Sequence, residues 1–188
     1  MKETIKSYKF REERGYFDKY LMGSGIDIGG GDDPLKVKKG SVYCYDLKQG
    51  DAQHMANIKS NTYDFVYSSH CLEHIQNPEL AFQHWIRICK PNGYLYIIVP
   101  HEVYYEHSIW PSRWNAGHRW SFTLDSPSKL PKNIVFKDFL NKFTNSVEII
   151  DVFENLQNYD FSKSETIDQT FNFKDNVCAQ IEAILRKK

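Results

Sequence analysis

The run Asp27-Ile28-Gly29-Gly30-Gly31-Asp32-Asp33-Pro34 holds the residue types of a cofactor-binding bend. Glycines straight after a short apolar segment let the backbone turn sharply and approach a ligand closely. Two cofactor classes use such a bend, dinucleotides and S-adenosylmethionine, and charge separates them. A pyrophosphate wants bare N–H groups at a helix start and a third, spaced glycine. Here Pro34 occupies that third position, and Asp32 and Asp33 would repel an anion. The sulfonium and ammonium groups of the second cofactor tolerate or use acids. A carboxylate at Asp46 can accept hydrogen bonds from both ribose hydroxyls. In Gly50-Asp51-Ala52 the carboxylate or the neighbouring backbone could hold an adenine amino group, with Met55 packed on the ring.

Displacement of a methyl group from a sulfonium releases a neutral thioether, so catalysis there is mainly alignment and desolvation. An oxygen or amine nucleophile calls for a base, and histidine is best tuned for that at neutral pH. His70 and His118 are the candidate bases. Tyr104, Tyr105, His107, Trp110, Arg113, Trp114 and Arg119 crowd one stretch and are the candidate acceptor wall, because rings and guanidinium groups stack on sugars and nucleobases. Each has a blander reading. Asp46 and Asp51 suit solvated turns, His70 could cap the next helix, His118 could anchor a loop, and the aromatic cluster could be loop core. His70 and His74 stand four residues apart, as in zinc helices, but Glu73 is misplaced for that motif and the segment leaves a strand. His101, Glu102, His107 and His118 lack tight spacing. No metal is expected.

These residues need elements to hold them. Spaced aromatics over residues 4–21 predict an amphipathic helix, with Gly15 against it. Apolar or β-branched runs predict strands at 25–28, 41–47, 63–69 and 94–99. Residues 78–88 carry apolar side chains at helical spacing, and Lys90-Pro91-Asn92-Gly93 is read as the turn that ends that helix. A helix at 136–143 and strands at 147–153 and 178–185 follow, with a mobile polar loop at 158–170. Strands alternating with helices, several of them wholly apolar, predict an α/β fold with a mostly parallel sheet covered on both faces. Its cofactor would sit outside the carboxyl ends of the strands.

The segments DIGGGDDP, GDAQHM, YDFVYSSHCLEHIQNPELAFQHWIRICKPNGYLYIIVP and QIEAILRK resemble the class I S-adenosylmethionine-dependent methyltransferases, closest to their small type 11-like branch. The resemblance spans roughly residues 23–100 and the last strand. It implies a Rossmann-like sheet with an antiparallel last strand. Only four residues separate Asp46 from Asp51, where the family fits a helix and a strand, so the third strand is expected to be reduced or missing. By position, the resemblance places Gly29, Gly30 and Gly31 under the methionine moiety and Asp27 near its amino end. It gives Asp46 the ribose, Asp51 and Ala52 the adenine, and makes Ser69 and His70 line the cofactor; the short spacing leaves Asp51 as an alternative ribose ligand. WPSRWNAGHRWSF is similar to a loop of methyltransferases found beside bacterial glycan genes.

The 188 residues fit one domain. We divide it into an N-terminal helix (1–22), a cofactor half (23–100), an acceptor-facing loop (101–125) and a C-terminal helix and strands (126–188). Lys plus Arg equals Asp plus Glu at 24 each, which argues against a nucleic-acid substrate or an anionic surface. Cys44, Cys71, Cys89 and Cys178 have no paired spacing and predict reduced thiols. Without an apolar signal core or membrane-length run, the expected location is the cytoplasm. The expected activity is methyl transfer to a small molecule or saccharide. The alternatives are a non-catalytic adenosyl-ligand binder and a metal-dependent hydrolase built on the histidines.

Overall fold

The computed structural model describes residues 3–163 and 166–188. Its strands are β1 (Gly23–Ile28), β2 (Gly40–Tyr45), β3 (Tyr63–Ser69), β4 (Cys89–Pro100), β5 (Ser121–Thr123), β6 (Asn133–Val135), β7 (Val147–Asn155) and β8 (Gln180–Lys187). Six of them form one sheet in the order β2-β1-β3-β4-β8-β7. β1, β2, β3 and β4 run parallel, and β8 lies antiparallel between β4 and β7. The expected Rossmann-like sheet with an antiparallel last strand is therefore present. Among the described residues, 46–62 form turns only, so the third strand of the usual pattern is missing, as the short Asp46–Asp51 spacing implied.

Alternation along the strands sends side chains to two faces. Val66, Leu95, Ile97 and Val99 face α4 (Pro78–Ile88) and α5 (Phe136–Asn141), where Phe82, Trp85, Phe139 and Leu140 pack on them. Phe65, Tyr67, Tyr96 and Ile98 face Tyr16, Phe17, Tyr20 and Leu21 from the N-terminal segment. Each such buried apolar side chain contributes about 1.5–3 kcal/mol. The helix α4 has the ends its sequence predicts. Asn77 Oδ1 accepts Leu80 N at 3.1 Å as the N-cap, and Pro78 takes the first turn.

Three expectations are corrected. The single N-terminal helix is instead three short ones, α1 (Glu3–Lys6), α2 (Tyr8–Glu13) and α3 (Tyr16–Lys19), interrupted at Ser7 and again at Gly15, which adopts φ +70°; residues 1 and 2 of that expectation lie outside the described residues. Lys90–Gly93 is not a turn outside the sheet but a bulge within β4, with Tyr63 opposite Cys89 and Phe65 already opposite Tyr94. Finally, β5 and β6 form a small parallel sheet that no sequence run announced. The loop expected to be mobile at 158–170 contains Ser164 and Glu165, which lie outside the described residues. Beside them, Gln169 holds both backbone groups of Asp160, at 3.0 and 2.9 Å. No described helix is long and apolar enough to cross a membrane.

Candidate active site

The bend after β1 is built from residues that could not be larger. Gly29 has φ +83°, and a Cβ on it would stand 2.6 Å from Cys71 Cβ. A Cβ on Gly30 would meet Asp27 Oδ2 at 2.7 Å. Gly31 has φ +50°, and its Cβ would lie 3.4 Å from Asp46 Oδ2. The carboxylate of Asp46 is therefore held against the bend, with Oδ1 accepting the Leu47 N–H at 2.7 Å.

Two connected clefts open above these residues. One, of about 370 Å³, is lined by Glu3, Thr4, the three glycines, Asp32, Asp33, Asp46, Ser69, His70 and His74. The other, of about 910 Å³, continues past Gly29 and Asp46 to Leu47, Gly50, Asp51, Ala52, Gln53, His54, Gln76 and Arg119. Such volumes suit a cofactor-sized ligand. The first cleft is acidic, and Ser69 on its wall has a buried hydroxyl with no hydrogen-bond partner. A bare glycine cradle, an acidic wall and a free hydroxyl fit a cationic sulfur nucleoside and do not fit a pyrophosphate.

Asp27 is placed differently from its expected contact with the ligand. It is fully buried under the bend, accepts Leu35 N–H at 2.7 Å, and lines neither cleft. Burial pushes its carboxyl up to about 7, against the Leu35 N–H and the Arg11 charge, which pull it down. Met55 is likewise core rather than a cover for adenine. Asp51 sits in the larger cleft, but its oxygens bond Gln53 N and His54 Nδ1, both at 2.7 Å. The Gln53 N–H, then His54, hold that carboxyl low.

His70 lines both clefts. Its φ of +53° is unusual for a side chain of this size and marks a position held in place by its surroundings. Its backbone N–H bonds Ile98 O at 3.0 Å, and Nε2 lies 3.2 Å from Gln180 Oε1. Burial lowers its pKa, so the ring is neutral at physiological pH. His118 is sealed, with a side chain 1% exposed and Nδ1 2.5 Å from Glu106 Oε1. Burial pulls its pKa down, but the Glu106 hydrogen bond and the Glu73 charge prevail and raise it.

The segment carrying His118 is zipped onto the 3₁₀ turn Leu72–His74. Arg119 and Trp120 donate their N–H groups to Glu73 O at 2.8 and 3.2 Å, and Trp120 Nε1 bonds Ile75 O at 2.9 Å. Of the expected acceptor wall, Arg119 reaches the larger cleft and, with Trp110 and His118, a side chamber of about 420 Å³. Tyr105 is buried between the His70 and His118 rings. Tyr104 packs edge-to-face or tilted against His101, Tyr159 and Phe161, while Arg113 and His107 both pack on Trp114; none of Tyr104, His107, Arg113 and Trp114 lines the three clefts. The loose group His101, Glu102, His107 and His118 does not converge. His101 pairs with Glu154 at 2.9 Å, and Glu102 binds Ser121, Ser128 and Asn133. Instead, buried Glu73 faces the rings of His70, His74 and His118, and burial pushes its carboxyl up to about 7. Glu3, Thr4 and Glu73 were the residues that motif reading passed over.

Residues 18–134 match the family model described as a methyltransferase domain. No curated protein matches the chain in sequence. Among solved structures, it is similar to a SAM-dependent methyltransferase of Thermotoga maritima described as a possible histamine N-methyltransferase. That pair has 18% identity and a TM-score of 0.54, covering all of both chains. A protein solved for the conversion of a disulfide bond into a thioacetal group during echinomycin biosynthesis has 13% identity and a TM-score of 0.60, over 97% of this chain and 80% of its own. The YcgJ protein of Bacillus subtilis has 11% identity and a TM-score of 0.53, over 94% and 96%. At these identities the structural likeness is one of fold.

Proposed function

This chain belongs to the methyltransferase-domain family, and from that premise we propose that it methylates a small-molecule or saccharide acceptor. It is an S-adenosylmethionine-dependent enzyme, and the donor supplies an electrophilic methyl group on a sulfonium when bound. Gly29–Gly31 would cradle the methionine moiety, with Ser69 beside it. Asp46, held against the bend, would take the ribose, and the Asp51–Ala52 turn would border the adenine. Asp27 supports the bend from below rather than touching the ligand. The observation that carries this reading is the acidic, side-chain-free cradle running directly to His70.

His70 holds a neutral ring on the cleft wall and would take the proton from an attacking hydroxyl or amine. Arg119 and Trp110 offer a guanidinium and a ring at the side chamber, a pairing suited to a sugar. This favours a saccharide or small polar acceptor over a non-catalytic binder, which needs no such groups. The cytoplasm is the proposed setting, since all four cysteines are free thiols.

Titration with S-adenosylhomocysteine tests the cofactor contacts. Asp46→Ala is expected to weaken binding about 30-fold, the loss of charge-assisted hydrogen bonds worth about 2 kcal/mol. Asp51→Ala should cost only about fivefold, because its carboxylate is already engaged locally. The reverse order would hand the ribose to Asp51. With a saccharide panel as acceptors, His70→Gln should lower single-turnover methylation about 10²-fold with little change in cofactor affinity; an unchanged rate removes its role as base.

A further inference from the structure

The strongest unassigned feature is the buried carboxylate of Glu73. It is fully buried, and neither oxygen accepts a hydrogen bond from another residue. Three imidazole nitrogens face it, His70 Nδ1 at 3.7 Å, His118 Nε2 at 3.8 Å and His74 Nε2 at 3.9 Å from Oε1, and the last two belong to rings held from their far side. Both rings are anchored by their other nitrogen. His118 Nδ1 meets Glu106 Oε1 at 2.5 Å, and His74 Nδ1 meets Gly117 O at 3.0 Å. An N–H donated to a carboxylate or a backbone carbonyl leaves the inward Nε2 with its lone pair, the arrangement that second-shell partners impose on metal-binding histidines. The approach of His74 to that carbonyl depends on Gly117, where a Cβ would stand 3.1 Å from Nδ1.

We propose that Glu73, His74 and His118 form a buried binding site for a divalent transition metal of the zinc class, bordering the cofactor cleft through His74. The three ligand atoms lie within 4.8 Å of one another. In a tetrahedral site with bonds near 2.0–2.1 Å, neighbouring donors stand roughly 3.3 Å apart, so each histidine closes on Glu73 by about half an ångström and the two histidines on each other by at most about 1.5 Å. Charge agrees. Glu73 and Glu106 are both buried, and a divalent cation beside them would supply the opposite charge that buried carboxylates need. Two imidazoles and one carboxylate suit zinc and its neighbours better than magnesium or calcium.

Three protein ligands leave a coordination position free. His74 lines the cofactor clefts and His118 the side chamber, so the site borders both. There the metal would hold an acceptor hydroxyl, whose proton passes to His70 while its oxygen takes the methyl and the S–C electron pair returns to sulfur. The metal site stands on its own geometry; only this use of it rests on the methyl-transfer reading.

The test is titration of the chelator-dialysed chain with Zn²⁺ and Co²⁺, alongside S-adenosylhomocysteine. One equivalent should bind more tightly than about 1 µM, and X-ray absorption of the wild-type complex should show imidazole nitrogens at about 2.0–2.1 Å. Glu73→Gln should weaken metal binding at least about a hundredfold while leaving S-adenosylhomocysteine binding intact, and His74→Ala should weaken metal binding to the same extent. No stoichiometric uptake, a metal shell without imidazole, or equal affinity in folded variants overturns the site. Loss of S-adenosylhomocysteine binding by the wild type would instead remove the cofactor reading and leave the metal result standing.

Discussion

Gly29→Val is expected to abolish S-adenosylhomocysteine binding, weakening it by more than about 10³-fold in calorimetric titration. Two costs combine. The φ of +83° is one that a β-branched residue adopts only at a penalty of about 1–3 kcal/mol. Space adds to it, because the new Cβ would fall 2.6 Å from Cys71 Cβ and 2.8 Å from its Sγ. Cys71 follows His70 directly and is itself fixed by the 3₁₀ turn, so relief means moving the bend into the cleft that both residues line. Binding within tenfold of wild type by a folded variant would remove the bend from the cofactor site.

Asp27→Asn should flatten the pH dependence of stability. The folded carboxyl is raised from 3.8 to about 7 by burial. A raised carboxyl favours the protonated form in the fold. The stability it lends is complete below about pH 4 and is lost as pH rises through about 7. Three pH units correspond to about 4 kcal/mol as an upper limit. An asparagine keeps an oxygen for the Leu35 N–H without the buried charge. Relative to the variant, the wild type should therefore lose stability between pH 4 and 7 in thermal unfolding. Glu73, pushed up to about 7 as well, leaves part of the slope in both proteins. A wild-type-minus-variant difference that stays constant over this range would rule out the buried charge as its source.

Local signals were legible wherever one segment carried its own instructions. The helix α4 matched its expected ends because a cap, a leading proline and an apolar period all sit within twelve residues. The glycine bend was visible because three successive glycines straight after an apolar run let the backbone turn sharply and approach a ligand closely. The missing third strand followed from counting. What stayed hidden depends on distant partners. Glu73 looked misplaced in HCLEH because the zinc motif counts along one helix, whereas its facing ring, His118, arrives from 45 residues away on a separate loop. Asp27 looked like a ligand contact because sequence cannot show which side of the bend its carboxyl takes. The strands β5 and β6 have three residues each, too few for any period to register.

The opening turn also has a practical bearing. Glu3 and Thr4 form part of the cleft wall, and the Ile5 N–H is tied to Asp33 Oδ2 at 2.9 Å. Whatever shifts these two residues therefore reshapes the rim where the ligand must enter. Lys188, by contrast, bonds Ser146 O through its backbone at 3.0 Å, well away from those residues. Purification handles belong at that far end, and an amino-terminal one should reveal itself as slower ligand exchange.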